Sequence, residues 1–452
     1  MLFAKKVISV FLAAMMVVMG CSLHISAIAG GDVDIDVGEA TVLTVSQMNG
    51  KYKTQGRTSV QDGLLMLDYS ASGFEFEATC AGDVAVTFSA SELISGDEGG
   101  CYFTVIVDGV AKARDFCRIT AKGDTEVTIA TGLAAGTHRF QIYRQTEIER
   151  ATVGIKSVRF SGRLENAPAN KDLYIEFVGD SITTAYGNLM QNGASGTPSN
   201  PLYQDATQGY AYLTAQKLNA DFSLVARQGI GASVGWQPVS MNVVYPLLRH
   251  AKDTTTPYDF ARQPDVVVIA LGTNDMSKYA SEGKTLDDVK TGFADLLTLV
   301  RQKNPNAKIV WAYGMMTNSA NTLIDEVITA AGGASEGYYS VKLTTNTAGG
   351  NEHPYYTAHE TMAQELSDFI SKTVLAPLSF LPGDIDNDEI VGLKDVVALA
   401  QVKAGWDIEY VEAALDPNGD GEFDLDDVVY LAQHVAEWEN RELSTVPYVP
   451  AA

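Results

Sequence analysis

The sequence predicts a multidomain chain: a β-sandwich of jelly-roll type, then a three-layer α/β domain with a mainly parallel sheet, then a small all-α module. Three observations predict it. Residues 38–162 carry short alternating segments and almost no helical spacing. Residues 173–375 alternate strand-like apolar runs with amphipathic segments of helical period. Residues 383–441 hold two copies of an acidic loop, each feeding an apolar helix. At 452 residues the chain is too long for one hydrophobic core. Its 46% apolar and 19% charged content is that of folded protein. A formal net charge of −24 argues against nucleic acid and anionic membrane as partners.

The N-terminus reads as an export signal over residues 1–29. Lys5 and Lys6 precede an apolar run, residues 7–19, and Ala27-Ile28-Ala29 is a small-x-small cleavage pattern. The protein is therefore expected to be secreted, and the run is too short for a membrane span. Val18-Met19-Gly20-Cys21 has the form of a lipoprotein box that would lipidate Cys21, but its methionine favours free secretion. Cys80, Cys101 and Cys117 remain in the mature chain; an odd number leaves at least one thiol free, and buried thiols are the default reading.

In the sandwich, expected strands include Phe74 to Ala78, Asp83 to Ser89, Tyr102 to Val107, Glu126 to Ala130, Thr137 to Tyr143 and Thr152 to Phe160. Turn signals such as Asp108-Gly109 and Ala135-Gly136 separate them. After a polar linker, residues 173–178 form an apolar strand that ends abruptly at Gly179-Asp180-Ser181. A helix is expected over 209–218, strands over 222–226 and 264–270, and a helix over 286–301. A strand over 307–312, a helix over 322–331, a strand over 338–343 and a closing helix over 356–374 complete the domain. The run Val266-Val267-Val268-Ile269 is apolar throughout, as for a strand covered on both faces.

Four clusters fall at strand ends: Gly179-Asp180-Ser181, Gln228-Gly229-Ile230-Gly231, Gly272-Thr273-Asn274-Asp275 and His353-Pro354. Open α/β sheets bind ligands at the carboxyl ends of their strands. Ester hydrolysis needs a nucleophile, a base and donors for the developing oxyanion. Ser181 is the candidate nucleophile and His353 the candidate base. Ser181 and Gly229 can offer main-chain N–H groups to the oxyanion, and Asn274 a side-chain N–H. Taken singly, a Gly-Asp-Ser turn or an Asn in a turn is more often structural; the four together favour chemistry. Trp236 follows the second cluster and either stacks on a sugar ring or packs in the core. No cluster of His or Cys ligands is present in this domain, so no cofactor is expected for catalysis.

The order and spacing of the four blocks resemble the SGNH (GDSL-type) hydrolases. With the preceding sandwich, residues 38–375 resemble carbohydrate esterase family 2, a likeness supported by Trp311 to Met316 and by His353-Pro354 with His359 beyond. The resemblance implies removal of O-acetyl groups from plant cell-wall polysaccharides such as xylan and glucomannan. One position departs from it: the family often has Asp two residues before the His, and here that residue is Asn351. A Ser-His dyad is expected, with Asn351 orienting the ring through its side-chain or main-chain carbonyl.

The two acidic loops begin 32 residues apart, at Asp384 and Asp416. Oxygen ligands at loop positions 1, 3, 5, 9 and 12 with a carbonyl at 7 wrap calcium. The first loop offers Asp384, Asp386, Asp388, the Ile390 carbonyl and Asp395. Glu389 stands in its glycine place, and Gly392 at its ninth. The second offers Asp416, Asn418, Asp420, the Glu422 carbonyl, Asp424 and Asp427, with Gly421 at the turn. The pair resembles a type I-like dockerin over 383–441, which implies two Ca2+ ions and a cohesin domain of a scaffoldin as partner, with location in a cellulosome. Residues 376–382 are expected as a linker and 442–452 as a flexible tail. Two other readings stay open: a different SGNH acyl hydrolase, or a carbohydrate-binding module that has lost turnover, which Asn351 favours.

Overall fold

The computed structural model describes residues 39–94, 99–249, 253–375, 380–388 and 390–448. The expected export signal with Cys21, Glu389, most of the expected linker over 376–382 and the last four residues lie outside the described residues. Ten strands occupy the N-terminal region: β1 (Thr41–Thr44), β2 (Tyr52–Gln55), β3 (Thr58–Gln61), β4 (Leu64–Leu67), β5 (Gly73–Leu93), β6 (Cys101–Val107), β7 (Val110–Ala111), β8 (Cys117–Ile119), β9 (Gly123–Arg144) and β10 (Ala151–Leu164). They pair antiparallel in the order β3-β4-β10-β5-β9-β6-β7, with β1 on β10, β2 on β5 and β8 on β6.

This pairing is one continuous ten-stranded sheet, not the two separate sheets expected of a jelly roll. The difference has a local cause. Two pairs of expected strands are each one long strand, β5 and β9, because Gly82 and Gly136 sit within strands. Gly82, at φ 77°, marks register shifts on both sides. It makes a bulge that bends the strand without ending it. Phe74, Phe76, Phe88, Phe103 and Phe140 fill the core inside the folded sheet. Cys80, Cys101 and Cys117 are buried free thiols, and burial raises all three above the usual thiol range.

The second region carries β11 (Tyr174–Gly179), β12 (Asp221–Ala226), a small antiparallel pair β13 (Leu247–Arg249) and β14 (Asp253–Pro257), then β15 (Val266–Ala270), β16 (Lys308–Tyr313) and β17 (Tyr338–Lys342). The main sheet runs β12-β11-β15-β16-β17, and each adjacent pair is parallel. Its helices are α1 (Tyr210–Lys217), α2 (Met241–Val244), α3 (Thr273–Lys278), α4 (Leu286–Lys303), α5 (Asn321–Ala330) and α6 (Tyr356–Phe369), the last continuing into a wider turn, Ile370–Val374. Thr285 and Asp288 form a capping box that starts α4. Its apolar stripe, Val289, Phe293, Leu296, Leu297 and Val300, is buried against the sheet as the spacing predicts. From β11 the chain goes to β12 on one side, and later to β15 on the other. The strand order therefore reverses at β11, where α/β sheets open a ligand crevice.

The sandwich covers the β12 edge of the parallel sheet. Gly56 N–H donates to the Phe222 carbonyl at 3.0 Å. Beside it, Lys53 pairs with Asp221 at 2.5 Å and Arg57 with Glu176 at 3.2 Å, all four side chains being buried. Glu176 also accepts from Tyr245 Oη at 2.8 Å. Covering an edge removes an unpaired ladder, and buried charges are tolerated because each is paired and hydrogen-bonded.

At the C-terminus, α7 (Leu393–Lys403) and α8 (Leu425–Val435) pack through Ala398, Leu399 and Leu431. Residues 442–448, expected as a loose tail, lie against this module. Ser444 N–H bonds the Pro417 carbonyl at 2.9 Å, Tyr448 N–H bonds the Ala413 carbonyl at 3.0 Å, and Leu443 joins the core. The prolines suggested a tail; Leu443 and Tyr448, on either side of Pro447, supply the packing.

Candidate active site

The turn after β11 brings Ser181 to the carboxyl edge of the sheet. A side chain at Gly179 would put Cβ 1.9 Å from Thr183 Oγ1, so only glycine permits this tight exit. Ser181 Oγ lies 2.8 Å from His353 Nε2, across 172 residues of sequence. His353 Nδ1 lies 2.9 Å from the main-chain carbonyl of Asn351. With Nδ1–H donating there, Nε2 is left to accept from the serine hydroxyl. Burial holds the His353 pKa below its ordinary value, partly offset by the Asn351 and Gly350 carbonyls.

Asn351 acts here through its main chain. Its φ of 55° and that of Glu352, 60°, are left-handed; this turns the Asn351 carbonyl toward the ring and leaves both side chains exposed. Asparagine tolerates that conformation better than most residues. The turn does for His353 what an Asp side chain would do, without supplying its charge.

Among the described residues, the main-chain N–H groups of Ser181 and Gly229 have no intramolecular acceptor. Both residues line a cavity of about 510 Å³ together with His353, Asn274, Tyr186 and Trp236. Gly229 takes φ 73°. Asn274 differs from the expectation of a free donor. Its Nδ2 donates to Asp180 Oδ2 at 3.0 Å and to the Ile230 carbonyl at 2.9 Å, which uses both hydrogens. Burial, with Asp275 nearby, pushes the Asp180 carboxyl up to about 7 against the bonds that favour its charge.

Asp275, which the sequence reading passed over, organises the second block. Its carboxylate accepts from the N–H groups of Ala232, Ser233 and Val234 at 2.9, 2.8 and 3.1 Å. The signal was present in Gly-Thr-Asn-Asp, but nothing local says where the aspartate points. Trp236 is a rim residue and not core: it is 68% exposed, with Lys278 Nζ 4.5 Å from the ring centre. Tyr186 packs on the His353 ring at 4.7 Å. Tyr210 is buried and hydrogen-bonded to Thr183, and His359 is buried on α6, its Nδ1 accepting from Tyr210 N–H at 3.1 Å.

In the C-terminal module, carboxylate oxygens of Asp384, Asp386 and Asp388 all lie within 4.8 Å of one another. Asp395 closes that loop by accepting from Ile385 N–H and Gly392 N–H, both at 2.7 Å. Ile390 N–H donates to Asp388 at 3.0 Å. In the second loop Asp416 accepts from Gly419 and Gly421, Asn418 and Asp420 cap Asp420 and Glu422, and Asp424 caps α8. Asp427 Oδ1 is buried with no hydrogen-bond partner among the described residues. Burial, with Asp416 and Asp420 close by, raises the Asp427 carboxyl to about 6. An orphaned carboxylate oxygen facing like charges fits a divalent cation bound by hard oxygen donors.

Comparison with known proteins agrees with this architecture. Residues 54–168 match the carbohydrate esterase 2 N-terminal family, and residues 177–376 match the GDSL-like Lipase/Acylhydrolase family. The chain is 31% identical over 300 residues to a protein named cellulase/esterase CelE, from Acetivibrio thermocellus; the match covers 62% of this chain and 35% of CelE. It is 24% identical over 336 residues to an acetylxylan esterase / glucomannan deacetylase of Cellvibrio japonicus, covering 72% of this chain and 89% of that one. Among solved structures, a family two carbohydrate esterase from Clostridium thermocellum in complex with cellohexaose superposes with a TM-score of 0.62. That match is at 27% identity and covers 71% of this chain and 98% of that one. An acetyl xylan esterase from Butyrivibrio proteoclasticus superposes with a TM-score of 0.64 at 24% identity, covering 73% and 97%. By name these relatives are carboxylic ester hydrolases. The two adjacent matches, in this order and on this fold, make residues 54–376 similar to a carbohydrate esterase 2 N-terminal domain followed by a GDSL-like acylhydrolase domain.

Proposed function

We propose that the chain is a serine acetylesterase that removes O-acetyl groups from plant cell-wall polysaccharides such as xylan and glucomannan. The observation that carries this reading is the 2.8 Å contact between Ser181 Oγ and His353 Nε2, beside two main-chain N–H groups that have no acceptor among the described residues. Ser181 Oγ attacks the acetyl carbonyl carbon while His353 Nε2 takes the hydroxyl proton. The carbonyl oxygen becomes an oxyanion and is met by the N–H groups of Ser181 and Gly229. The C–O bond to the sugar then breaks, and Nε2 returns the proton to the leaving oxygen. Water, deprotonated by the same nitrogen, releases acetate and restores the serine. The Asn351 carbonyl holds the imidazole through both steps. Trp236 at the rim stacks on a sugar ring.

The export signal makes the enzyme secreted. The C-terminal module acts as a dockerin that plugs the enzyme into a cohesin of a scaffoldin. Asp384, Asp386, Asp388 and Asp395 hold one Ca2+, with the Ile390 carbonyl. Asp416, Asn418, Asp420, Asp424 and Asp427 hold the other, with the Glu422 carbonyl. Calcium supplies the charge that these clustered carboxylates otherwise lack.

A second reading, a sugar-binding module without turnover, is favoured by one observation: Asn274 spends both Nδ2 hydrogens within the protein. Acetate release from acetylated xylan and glucomannan, wild type beside Ser181→Ala, separates the two. Release lost in the variant supports the esterase. Sugar binding with no release from any acetyl ester leaves the module.

A further inference from the structure

Four charged side chains gather where the turn between β9 and β10 meets the loop that carries Gly229. Glu147 is buried, and its Oε2 accepts from the Gln228 N–H at 3.1 Å, 81 residues along the chain. Arg150 Nη2 donates to the Gln228 side-chain Oε1 at 2.7 Å and lies 3.4 Å from Glu147 Oε1. Next to them, Arg227 Nε pairs with Glu149 Oε1 at 2.5 Å. The sandwich therefore grips residues 227 and 228 by main chain and by side chain.

The grip matters because of what shares its peptide planes. The Gln228 carbonyl and the Gly229 N–H lie on opposite edges of one rigid plane. Gln237 Nε2 fixes the carbonyl edge at 2.8 Å. Glu147 and Arg150 fix the residue that precedes it. The remaining edge is the Gly229 N–H, which lies in the cavity wall with no acceptor among the described residues. Glycine at φ 73° has no side chain to hold that orientation, so the neighbours must. Burying one carboxylate beside a second, partly exposed one is costly: Glu147 is raised to about 7 by burial and by Glu149. A turn needed only to connect two strands has no use for such a cluster.

We propose that Glu147 and Arg150, on the sandwich, are positioning residues for acyl transfer, holding the Gln228–Gly229 peptide so that Gly229 N–H meets the oxyanion. The proposal rests on the esterase reading. Its test uses the full chain, p-nitrophenyl acetate, and kcat counted per serine titrated by a phosphonate inhibitor. Misplacing a donor by about 1 Å costs on the order of a hundredfold, so Glu147→Ala should lower kcat roughly ten- to a hundredfold with KM little changed. Glu147→Gln keeps an acceptor for the Gln228 N–H and should recover most of the loss. Arg150→Met removes the side-chain contact alone and should fall between. Equal kcat per titrated site in wild type, Glu147→Ala and Arg150→Met would overturn the proposal, as would a Gln variant no better than Ala. If Glu147→Ala does not fold, Arg150→Met decides: its kcat per site falls, or the proposal fails. A wild type that turns over no ester sinks the esterase reading instead. Amide hydrogen exchange over residues 226–231 then judges the grip alone: faster exchange in Arg150→Met supports it and unchanged exchange overturns it.

Discussion

His353 is held by Asn351 through a main-chain carbonyl, 2.9 Å from Nδ1, while the Asn351 side chain points to solvent. A carbonyl orients the ring but brings no negative charge to the imidazolium. Asn351→Asp places a carboxylate on an exposed residue of the cavity wall, while Nδ1 is already held by the main-chain carbonyl. The expected gain in kcat is therefore less than about tenfold, far below the roughly ten-thousandfold that a triad carboxylate can be worth. Steady-state kinetics on p-nitrophenyl acetate check it; a gain of several hundredfold would mean the carboxylate reaches the ring.

Ser181 and His353 should behave as one unit. Ser181→Ala and His353→Ala are each expected to remove on the order of ten-thousandfold or more of kcat, and the double variant little beyond either single one. Additive losses in this cycle would mean that the two side chains act separately.

Activity should persist into mildly acidic solution. Burial lowers the His353 pKa, and the base works only when neutral. The acid limb of kcat/KM is therefore expected below pH 6.5, the ordinary histidine value. A limb at or above that value would mean the ring is solvated or paired with a charge.

His359 ties stability to pH with a definite sign. Burial, with His353 close by, lowers its pKa from 6.5 to about 3 in the folded chain. Between those values the unfolded chain binds the extra proton. The contribution is thus complete above 6.5 and is lost as pH falls toward 3. One proton corresponds to about 1.4 kcal/mol per pH unit. His359→Asn keeps an acceptor for Tyr210 N–H and should flatten the slope by that amount in denaturant titrations across the window. Parallel curves for the two proteins would count against a neutral buried ring.

Trp236 and calcium give two independent readouts. Trp236→Ala should raise KM for acetylated polysaccharide roughly three- to tenfold, about the strength of an exposed aromatic contact, and leave small-ester kinetics near wild type. An equal effect on both substrates would place Trp236 in the acyl site. Chelation by EDTA should lower the helicity of the C-terminal module and shift the emission of Trp406 and Trp438, both exposed in its structure. Unchanged spectra would leave the acidic loops without a metal role.

The α/β region was largely readable because β15 is apolar throughout and α4 has a capped, amphipathic repeat. His353 was readable because the chain has only 6 histidines, and Ser181 because its block falls at a strand end. The long strands β5 and β9 were not, since Gly82 and Gly136 look the same in a bulge as in a turn. The contact from Asn351 was half legible: a main-chain carbonyl leaves no residue signature. Glu147 and Arg150 were missed altogether. In sequence they are charges in a strand connection, which usually face water, and only the fold brings them to Gln228.

The seam between the sandwich and the parallel sheet has a consequence for ancestry. A gene fragment beginning at residue 173 would encode Asp221 and Glu176 without Lys53 and Arg57, leaving Asp221 with Arg262 as its one remaining cation and Glu176 with hydroxyl donors in place of its guanidinium. Recombination that split the chain there would yield a protein unable to fold at full strength. The first two regions are therefore expected to be inherited together, as one cassette.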